Sequence, residues 1–316
     1  MRISRRDLLR AQKFNDKFSR LDLIVRYLFL EFLYGKTNIE SAKDLYLKMQ
    51  KKRTGSLNHI NGKSYIQECT RLAKSFADNG YIKEYPLIVN ENKHLINSSH
   101  RAACCLFWSI EDIPLEINKS WKNCLDNPNP IKQTYFDYGL GWFRNNDFSE
   151  EEITIIENKR KEIFSDLGLC FKVVLWDPIK EYFEDAEEHI QTRYSVIKSE
   201  CYDLGGEYEK CMRQLYEIDD VATWKVDKKI SFMKKPSHIR VLTLDIFDTK
   251  FRNKTQNKDK IISIEIENLK KDIRQKYKDK IDNYFYDIIM HAGDNYEHTD
   301  HISKVLKLYE DKKVEN

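Results

Sequence analysis

The chain has 316 residues, 41% of them hydrophobic and 12% aromatic, which excludes a disordered protein and allows two domains with buried cores. Its 54 lysines and arginines nearly balance its 51 aspartates and glutamates, so the formal net charge is only +3. This balance argues against a dedicated duplex-DNA-binding protein, whose affinity depends on an excess of basic residues.

Residues 1–53 are predicted to form a helical N-terminal arm. Apolar residues that include Phe14 and Phe18 recur there at roughly helical spacing, and Gly35 ends the run. A second helix is predicted over residues 41–50. The chain contains only 10 glycines and 6 prolines, which indicates a predominantly helical protein with few long loops.

The region from Tyr85 to Ile117 predicts a hairpin, a helix and a third strand. Its predicted elements are a strand at Pro86–Val89, a turn at Asn90–Lys93, a second strand at His94–Ile96, a helix from His100 and a strand at Asp112–Ile117. The junction between the hairpin and the helix consists of Asn97, Ser98, Ser99, His100 and Arg101.

This junction has the features of a phosphate site. The first backbone N–H groups of a helix are unpaired and the helix dipole is positive there, so an anion is favoured. Two hydroxyls, an imidazole and a guanidinium add further donors. The same residues also fit an N-cap serine followed by an exposed basic pair, and spacing alone leaves both interpretations open.

Four motifs follow one another between Ser64 and Ile117. They are Ser75-Phe-Ala-Asp-Asn-Gly80, Pro86-Leu-Ile-Val89, Asn97-Ser-Ser-His-Arg101 and Ile113-Pro-Leu-Glu-Ile117. In order and spacing they resemble the ParB/sulfiredoxin-like domain, which also occurs in free-serine kinases, and the resemblance covers about residues 57–118. It implies a small mixed-sheet domain over residues 54–120. The residues that it implies for phosphate binding are Asn97, Ser98, Ser99, His100 and Arg101.

Proteins of this class carry out three kinds of chemistry, and the sequence departs from each pattern. Sulfiredoxins have a cysteine just before the His-Arg pair, where this chain has Ser99. Partition-type ParB proteins bind CTP and continue into a helix-turn-helix, whereas the segment after Ile117 is loop-like. Free-serine kinases have an aspartate at the position of Asn97 and a catalytic glutamate in the loop that corresponds to residues 57–62, which contains no carboxylate. What the resemblance implies most directly is therefore phosphate binding by Ser98, Ser99, His100 and Arg101. The expected cofactor is a nucleoside triphosphate or diphosphate with Mg²⁺.

Residues 121–148 are predicted as a linker and residues 149–316 as a larger, mostly helical C-terminal domain. Two strands are predicted there, at Phe171–Pro178 and Val241–Phe247. The other predicted elements are helices at 149–166, 179–198 and 208–218 and a largely helical stretch over 261–308 that is interrupted near Ala292-Gly293. Together with the ParB-like sheet, these elements predict an α+β fold.

The segment His291–His301 contains three of the eight histidines of the chain, together with several acidic residues. His298 and His301 are three residues apart and would share one face of a helix, where His291 or Asp294 would complete a metal site. A phosphate or sugar hydroxyl held at the glycine turn is a second interpretation, and a helix–helix turn with ordinary surface charges is a third. The basic residues expected to converge on such a turn are Arg240, Arg252, Lys254 and Arg274.

The sequence predicts a phosphate- and nucleotide-binding enzyme that transfers a phosphoryl or nucleotidyl group to a small-molecule acceptor. Its candidate catalytic residues are His100, His291 and Asp294, the last as a base from the second domain. A ParB-like nucleic-acid-binding or nuclease-type module is the alternative, and a sensing or assembly protein that binds phosphate without turnover is a third. Nucleotide-specific stabilisation favours the enzyme, and salt-sensitive DNA binding favours the module.

Cysteine usage and hydropathy predict the compartment. The seven cysteines are scattered, form no CxxC pair and lie mostly in apolar surroundings, so we expect reduced, structural thiols. The most apolar run, Leu21–Tyr34, is interrupted by charged residues and is too short for a bilayer, and no signal peptide is evident. We therefore expect a cytoplasmic protein without a membrane partner.

Overall fold

The computed structural model describes residues 1–14, 16–37, 39–58, 64–119, 137–219, 221–233, 236–254, 257–282, 284 and 288–315. The chain divides into two compact units, Met1–Ile163 and Phe164–Asn316. Both contain helices and small sheets, so the predicted α+β class is confirmed. Most of the predicted linker, and most of the 57–62 loop, lie outside the described residues.

The helices of the first unit are α1 (Arg5–Arg10), α2 (Leu21–Leu33), α3 (Ala42–Thr54), α4 (Tyr65–Asn79), α5 (Ser99–Phe107) and α6 (Leu140–Asn145), and α7 (Glu150–Asp166) includes the boundary to the second unit. Its strands are β1 (Arg2–Ile3), β2 (Lys13–Phe14), β3 (Lys17–Phe18), β4 (Leu87–Val89) and β5 (Ile113–Ile117). Helix α4 begins with a capping box. The Gln67 N–H donates to the Ser64 hydroxyl at 3.2 Å, and the Ser64 N–H donates to the Gln67 side chain at 3.0 Å.

A three-stranded sheet in the order β1–β5–β4 lies beside α5. Strands β4 and β5 are parallel, and the chain between them contains α5, as in a strand–helix–strand unit. The second strand predicted at His94–Ile96 is reduced to one antiparallel bridge, between Val89 and Leu95. Two backbone hydrogen bonds join this segment to the β4 side, from the Asn90 N–H to the His94 carbonyl and from the Ile96 N–H to the Ile88 carbonyl. The Leu95 N–H donates to the Gln12 side chain at 3.0 Å instead of to a neighbouring strand.

The N-terminal residues belong to the same sheet and the same unit as residues 54–120. Strand β1 pairs antiparallel with β5, with Ile3 opposite Ile113. Phe14 and Phe18, which the sequence predicted on a helix, lie instead on the hairpin β2–β3. Asp16 between the strands has a left-handed backbone (φ 63°), which a right-handed helix does not accommodate.

Helix α2 carries a fully buried carboxylate. Asp22 is 0% exposed, and its oxygens accept hydrogen bonds from Arg20 Nε at 2.8 Å and Arg26 Nη1 at 2.7 Å. Burial alone would raise the pKa of Asp22, but the two guanidiniums outweigh it and hold this pKa well below its usual range. Arg20 also donates to the Leu95 carbonyl at 2.8 Å, so this cluster ties α2 to the segment that leads into α5.

The helices of the second unit are α8 (Phe183–Gln191), α9 (Tyr208–Tyr216), α10 (Thr223–Phe232), α11 (Ile264–Tyr277) and α12 (Tyr296–Lys307), and the 3-10 turn that bears on the site is Glu217–Asp219. Its strands are β6 (Phe171–Trp176), β7 (Ser195–Asp203), β8 (His238–Asp245), β9 (Phe251–Lys254), β10 (Asn257–Ser263), β11 (Met290–Ala292) and β12 (Lys313–Val314). Helix α12 begins at an asparagine cap, since the Asn295 side chain accepts a hydrogen bond from the His298 N–H at 2.9 Å.

A five-stranded antiparallel sheet in the order β11–β6–β8–β7–β12 gives the second unit more strand than the sequence predicted. The strands predicted at Phe171–Pro178 and Val241–Phe247 are confirmed as β6 and β8. The helix predicted over 179–198 is wrong beyond Gln191, because Ser195–Asp203 pairs along β8. The interruption predicted near Ala292-Gly293 is confirmed, since strand β11 (Met290–Ala292) lies there.

Aromatic rings fill the core of the second unit. Trp176 is 0% exposed, and its ring lies edge-on to Tyr208 at 5.9 Å and stacks on Tyr216 at 6.2 Å. Within the described part of the chain, no helix is long and apolar enough to cross a membrane. The six cysteines that the structure describes are free thiols, as predicted.

Candidate functional site

The corner singled out by the sequence lies where the chain enters α5. Ser98 has a left-handed backbone (φ 73°), uncommon for a residue with a side chain, and its N–H donates to Asn97 Oδ1 at 2.6 Å. Ser98 stands at the cap position without capping the helix, and its hydroxyl accepts a hydrogen bond from Arg101 Nη2 at 2.6 Å. Ser98 is therefore the N-cap residue by position, but its side chain does not cap the helix, and an anion can take the place that a capping side chain would fill.

Arg101 opens onto a cleft of about 420 Å³ between α4 and α5. Its Nη1 also donates to the Tyr85 carbonyl at 2.6 Å, which fixes the guanidinium at the cleft wall. The residues that line the cleft are Arg71, Leu72, Ser75, Phe76, Tyr81, Ile82, Tyr85 and Arg101. A cleft of this volume is in the range of small-molecule sites, and its lining combines two guanidiniums with three aromatic rings.

Two tyrosines shape one side of the cleft. The Tyr81 hydroxyl donates to the Tyr85 carbonyl at 2.7 Å, and the Tyr81 ring lies edge-on to Phe76 at 5.5 Å. Burial raises the pKa of Tyr81 to about 12, so this hydroxyl keeps its proton at neutral pH. The Tyr85 ring is 60% exposed and is not tied into the core.

Ser99 is held by an arginine that the sequence analysis did not connect with it. Arg20 Nη2 donates to the Ser99 hydroxyl at 2.7 Å, and the same guanidinium is paired with the buried Asp22. The two residues are 79 positions apart, so no local sequence pattern predicts this contact. Two arginines therefore contact this junction. Arg20 binds Ser99 from the buried side, and Arg101 binds Ser98 from the side of the cleft.

His100 is anchored toward α3. Its Nε2 lies 2.8 Å from the Tyr46 hydroxyl and 3.1 Å from Gln50 Nε2. Gln50 Oε1 accepts from Arg53 Nη1 at 2.9 Å, so it is the Gln50 amide nitrogen that faces His100. The residues that line the cleft include Arg101 but not His100, so the catalytic role of His100 stays a prediction.

Among the acidic residues near the cleft, Glu68 was not singled out by the sequence. Its carboxylate accepts a hydrogen bond from Arg71 Nη2 at 3.1 Å, one turn earlier on α4, and it is 19% exposed. In the sequence, Glu68 shows only as an acid in the first turn of a helix. That pattern is typical of a residue that stabilises the helix dipole, and by itself it does not indicate a functional site.

A second cluster lies in the second unit, where β11, the 3-10 turn Glu217–Asp219 and α12 meet. Asp219 Oδ1 is 3.1 Å from His298 Nδ1, and Asp219 Oδ2 is 3.4 Å from His291 Nδ1. Asp294 lies within 4.8 Å of the ligand atoms of Asp219 and His298, and Lys270 Nζ donates to Asp294 Oδ1 at 2.5 Å. Asp219 is the member that the sequence analysis missed, since it lies more than seventy residues before the histidines.

His291 is the most buried member of this cluster. It is 5% exposed, and its ring is tilted by 55° against the Tyr216 ring, with the ring centres 4.7 Å apart. Burial lowers the pKa of His291 to about 4, against the opposing attraction of Asp219, so the ring is neutral at neutral pH.

Most of the remaining residues predicted around His291 have partners elsewhere. His301 Nε2 lies 2.7 Å from the Gln214 carbonyl, so His298 and His301 do not face the same group. Of the basic residues predicted to converge here, Arg240 pairs with Glu184 and Glu187, and Arg252 pairs with Glu267. Arg274 does reach β11, where it donates to the carbonyl of Met290, next to His291.

Gly293 is required by the close approach of α12. A Cβ added at Gly293 would lie 2.9 Å from the Thr299 N and 3.0 Å from Thr299 Oγ1. We expect Gly293→Ala to lower the free energy of unfolding by about 1–3 kcal/mol, because helix backbone must shift to make room. Chemical denaturation measures this. Gly206→Ala is the control, because nothing lies within 4 Å there, and equal stability of both variants would contradict the crowding.

No protein-family model, no curated protein and no solved structure matches this chain. The function is therefore argued from the two clusters themselves. The first unit brings Ser98, Ser99 and Arg101 together beside a basic cleft. The second brings His291, Asp294 and His298 together around Asp219.

Proposed function

We propose that this protein is a phosphate- and nucleotide-binding enzyme whose ligand lies in the cleft between α4 and α5. The observation that carries the proposal is the position of Arg101, in the first turn of an uncapped helix and in the wall of a 420 Å³ cleft that it shares with Arg71. Of the described residues that line the cleft, two are arginines and none is acidic. A helix start and two guanidiniums favour an anion, and phosphate fits their paired N–H donors.

The donors of Arg101 are only partly used within the protein. A guanidinium has five N–H groups, and the contacts to Tyr85 and Ser98 use one on each terminal nitrogen. The second N–H of each terminal nitrogen can bind a phosphate oxygen while these contacts hold the group in place. Preorganisation of this kind reduces the entropy lost on binding.

The aromatic lining favours a nucleotide over a simple phosphate ester. Phe76, Tyr81 and Tyr85 present rings to the cleft, and Tyr85 is exposed enough to stack on a ligand. A planar base gains about 1–3 kcal/mol from each stacking contact. The cleft therefore offers an anion site at Arg101 and a place for a base a short distance away.

The reaction class of the proposal is transfer of a phosphoryl or nucleotidyl group to a small-molecule acceptor. The resemblance to ParB/sulfiredoxin-like domains, some of which are free-serine kinases, suggests this class, and the parallel pair β4–β5 joined through α5 is compatible with it. Transfer to a hydroxyl requires a base. The described residues that line the cleft include no carboxylate, and Glu68, just outside the lining, contacts Arg71 Nη2 at 3.1 Å. We therefore assign proton acceptance from the acceptor hydroxyl to Glu68, and phosphate binding to Arg101 and Ser98.

Thermal-shift measurements with ATP, ADP, CTP and GTP, each with and without Mg²⁺, test the binding site. A ligand at about 100 times its Kd stabilises the folded protein by about 2.7 kcal/mol. We expect Arg101→Ala to weaken the preferred nucleotide by roughly 30-fold, or about 2 kcal/mol, because it removes charge-assisted hydrogen bonds. Arg144→Ala is the matched control, since Arg144 is an arginine of the same unit that is 54% exposed and pairs with Glu150.

The outcomes separate the proposal from its alternative. Unchanged nucleotide shifts in Arg101→Ala would contradict the cleft assignment. Binding of duplex DNA that weakens steeply with salt, in the absence of any nucleotide shift, would favour the nucleic-acid-binding module. Glu68→Gln tests the chemistry: it should retain nucleotide binding and lose nucleotide turnover with the acceptor, and full turnover would contradict its role as the base.

A further inference from the structure

We propose that Asp219, Asp294 and His298 bind one divalent transition-metal ion in the second unit. Their ligand atoms, two carboxylate oxygens and one imidazole nitrogen, lie within 4.8 Å of one another. The site is separate from the cleft between α4 and α5, and the inference does not depend on the proposed nucleotide. It also differs from the pair His298 and His301 that the sequence suggested.

The state of His298 points to a ligand at this place. The residue is 9% exposed, and its Nδ1 is a buried atom without a hydrogen-bond partner in the protein. Nδ1 lies 3.1 Å from Asp219 Oδ1, but the contact lacks the alignment of a hydrogen bond. A buried polar atom left in this way is costly, and a metal ion bound to its lone pair removes the cost.

The charges of the cluster also favour a cation. Two carboxylates face each other across less than 5 Å in a largely buried position, and Lys270 is the cation that contacts them, at Asp294 Oδ1. A divalent ion between Asp219 and Asp294 would neutralise the repulsion, and Lys270 would keep the Asp294 carboxylate oriented from outside.

The backbone holds the ligands in place. Asp219 ends the 3-10 turn after α9, and His298 lies in the first turn of α12, where the Asn295 cap and the close approach of Gly293 fix the helix start. Bonds of about 2.0–2.2 Å in tetrahedral geometry place ligand atoms about 3.3 Å apart. Asp219 Oδ1 and His298 Nδ1 are already 3.1 Å apart, so the Asp294 carboxylate has to approach them by up to about 1.5 Å, which rotation about its χ angles allows.

The donor set selects the class of ion. Imidazole nitrogen with carboxylate oxygen suits Zn²⁺, Mn²⁺, Fe²⁺ or Co²⁺ better than Ca²⁺ or Mg²⁺, which prefer oxygen alone. His291 Nδ1, 3.4 Å from Asp219 Oδ2, orients that carboxylate from behind and is a positioning residue. Three protein ligands leave a coordination position for water or a substrate oxygen, as in catalytic sites.

Equilibrium dialysis of the full chain with Zn²⁺ and with Mn²⁺ after removal of bound metal tests the site. We expect one equivalent of ion in the wild-type protein. Asp219→Asn and His298→Gln should each weaken binding by more than about 100-fold, since loss of a direct ligand exceeds the loss of an outer partner. His301→Gln is the matched control and should retain the ion, because His301 contacts the Gln214 carbonyl instead.

Three results would overturn the proposal: no stoichiometric ion in the wild type, unchanged affinity in Asp219→Asn and His298→Gln, or an equal loss in His301→Gln. Circular dichroism excludes unfolding of the variants. A second measurement leaves all ligands intact. The Trp176 ring lies 6.4 Å from the His291 ring, so bound Co²⁺ should quench a fluorescence component that Trp176→Phe lacks. Quenching that is the same in Trp176→Phe would place the Co²⁺ elsewhere and contradict the site.

Discussion

Asp22→Asn is expected to lower the free energy of unfolding by about 3–5 kcal/mol, the usual effect of breaking a buried ion pair from one side. Asparagine keeps the shape of the side chain but removes the charge that compensates Arg20 and Arg26. Both guanidiniums are almost fully buried, at 3% and 1% side-chain exposure. Without Asp22 they would be desolvated cations with neutral partners, and the protein would relax by admitting water or by partial unfolding.

Urea denaturation of the wild type and the variant measures this effect, and hydrogen exchange of amides in residues 1–58 localises it. Asp147→Asn is the control, because Asp147 pairs with Lys52 at 2.5 Å but is 82% exposed. Its melting temperature should be nearly that of the wild type, since exposed pairs contribute little. If both variants had the same stability, the buried cluster would not support the fold in the way that its geometry indicates.

The same carboxylate produces a pH dependence with a definite sign. The pKa of Asp22 is lower in the folded protein than in the unfolded chain, so its stabilisation is fully present above the unfolded value of about 3.9. It is lost as the pH falls through the lower, folded pKa. The difference in unfolding free energy between wild type and Asp22→Asn should therefore be constant above about pH 5 and shrink below about pH 4. A difference that grows on acidification would have the wrong sign.

Asp22 also connects stability with the candidate site. It holds Arg20, whose Nη2 donates to the Ser99 hydroxyl and whose Nη1 donates to the Leu95 carbonyl. Loss of Asp22 would allow this guanidinium to move, and the corner at the start of α5 would lose the contact behind Ser99. The proposed nucleotide should bind more weakly to Asp22→Asn even where the protein is still folded.

The sequence predicted the parts of the site that are contiguous. The junction between strand and helix contains Ser98, Ser99 and Arg101 within four residues. A local sequence pattern was therefore enough to predict them as site residues. The contacts from Arg20 to Ser99 and from Tyr46 to His100 bridge 79 and 54 positions, and only tertiary packing determines them. The arginine that completes the cleft, Arg71, lies on a helix whose amphipathic pattern gives no sign of a ligand.

The fold shows the same limit. The strongly apolar strands β6 and β8 were predicted, because a buried β-branched run is typical of a central strand. Strand β7 was predicted as helix in part, since its sequence from Ser195 to Asp203 mixes charged and polar residues and depends on pairing with β8. Asp219 could not be assigned to the metal cluster because it is far from His298 in the sequence. Only the packing of α9 against α12 brings the two side chains together.

Trp176→Ala is expected to lower the free energy of unfolding by about 3–5 kcal/mol, as for other large aromatic side chains removed from a core. Trp176 is 0% exposed and lies among Tyr208, Tyr216 and His291, with ring-centre distances of 5.9, 6.2 and 6.4 Å. Alanine would leave a cavity that rigid rings cannot collapse to fill. Trp224→Ala is the control, because Trp224 is 51% exposed and should change stability little.

Trp176→Phe should cost much less than Trp176→Ala, for two physical reasons. Phenylalanine fills most of the space and keeps an aromatic face toward Tyr216, and it removes Trp176 Nε1, a buried N–H without a hydrogen-bond partner. Phenylalanine has no such N–H, so the folded state of Trp176→Phe is free of that desolvation penalty. Denaturant midpoints of the three proteins at equal m-values measure the order. Equal destabilisation by Trp176→Phe and Trp176→Ala would contradict this prediction. It would mean that losing the indole N–H costs as much as the packing that phenylalanine retains.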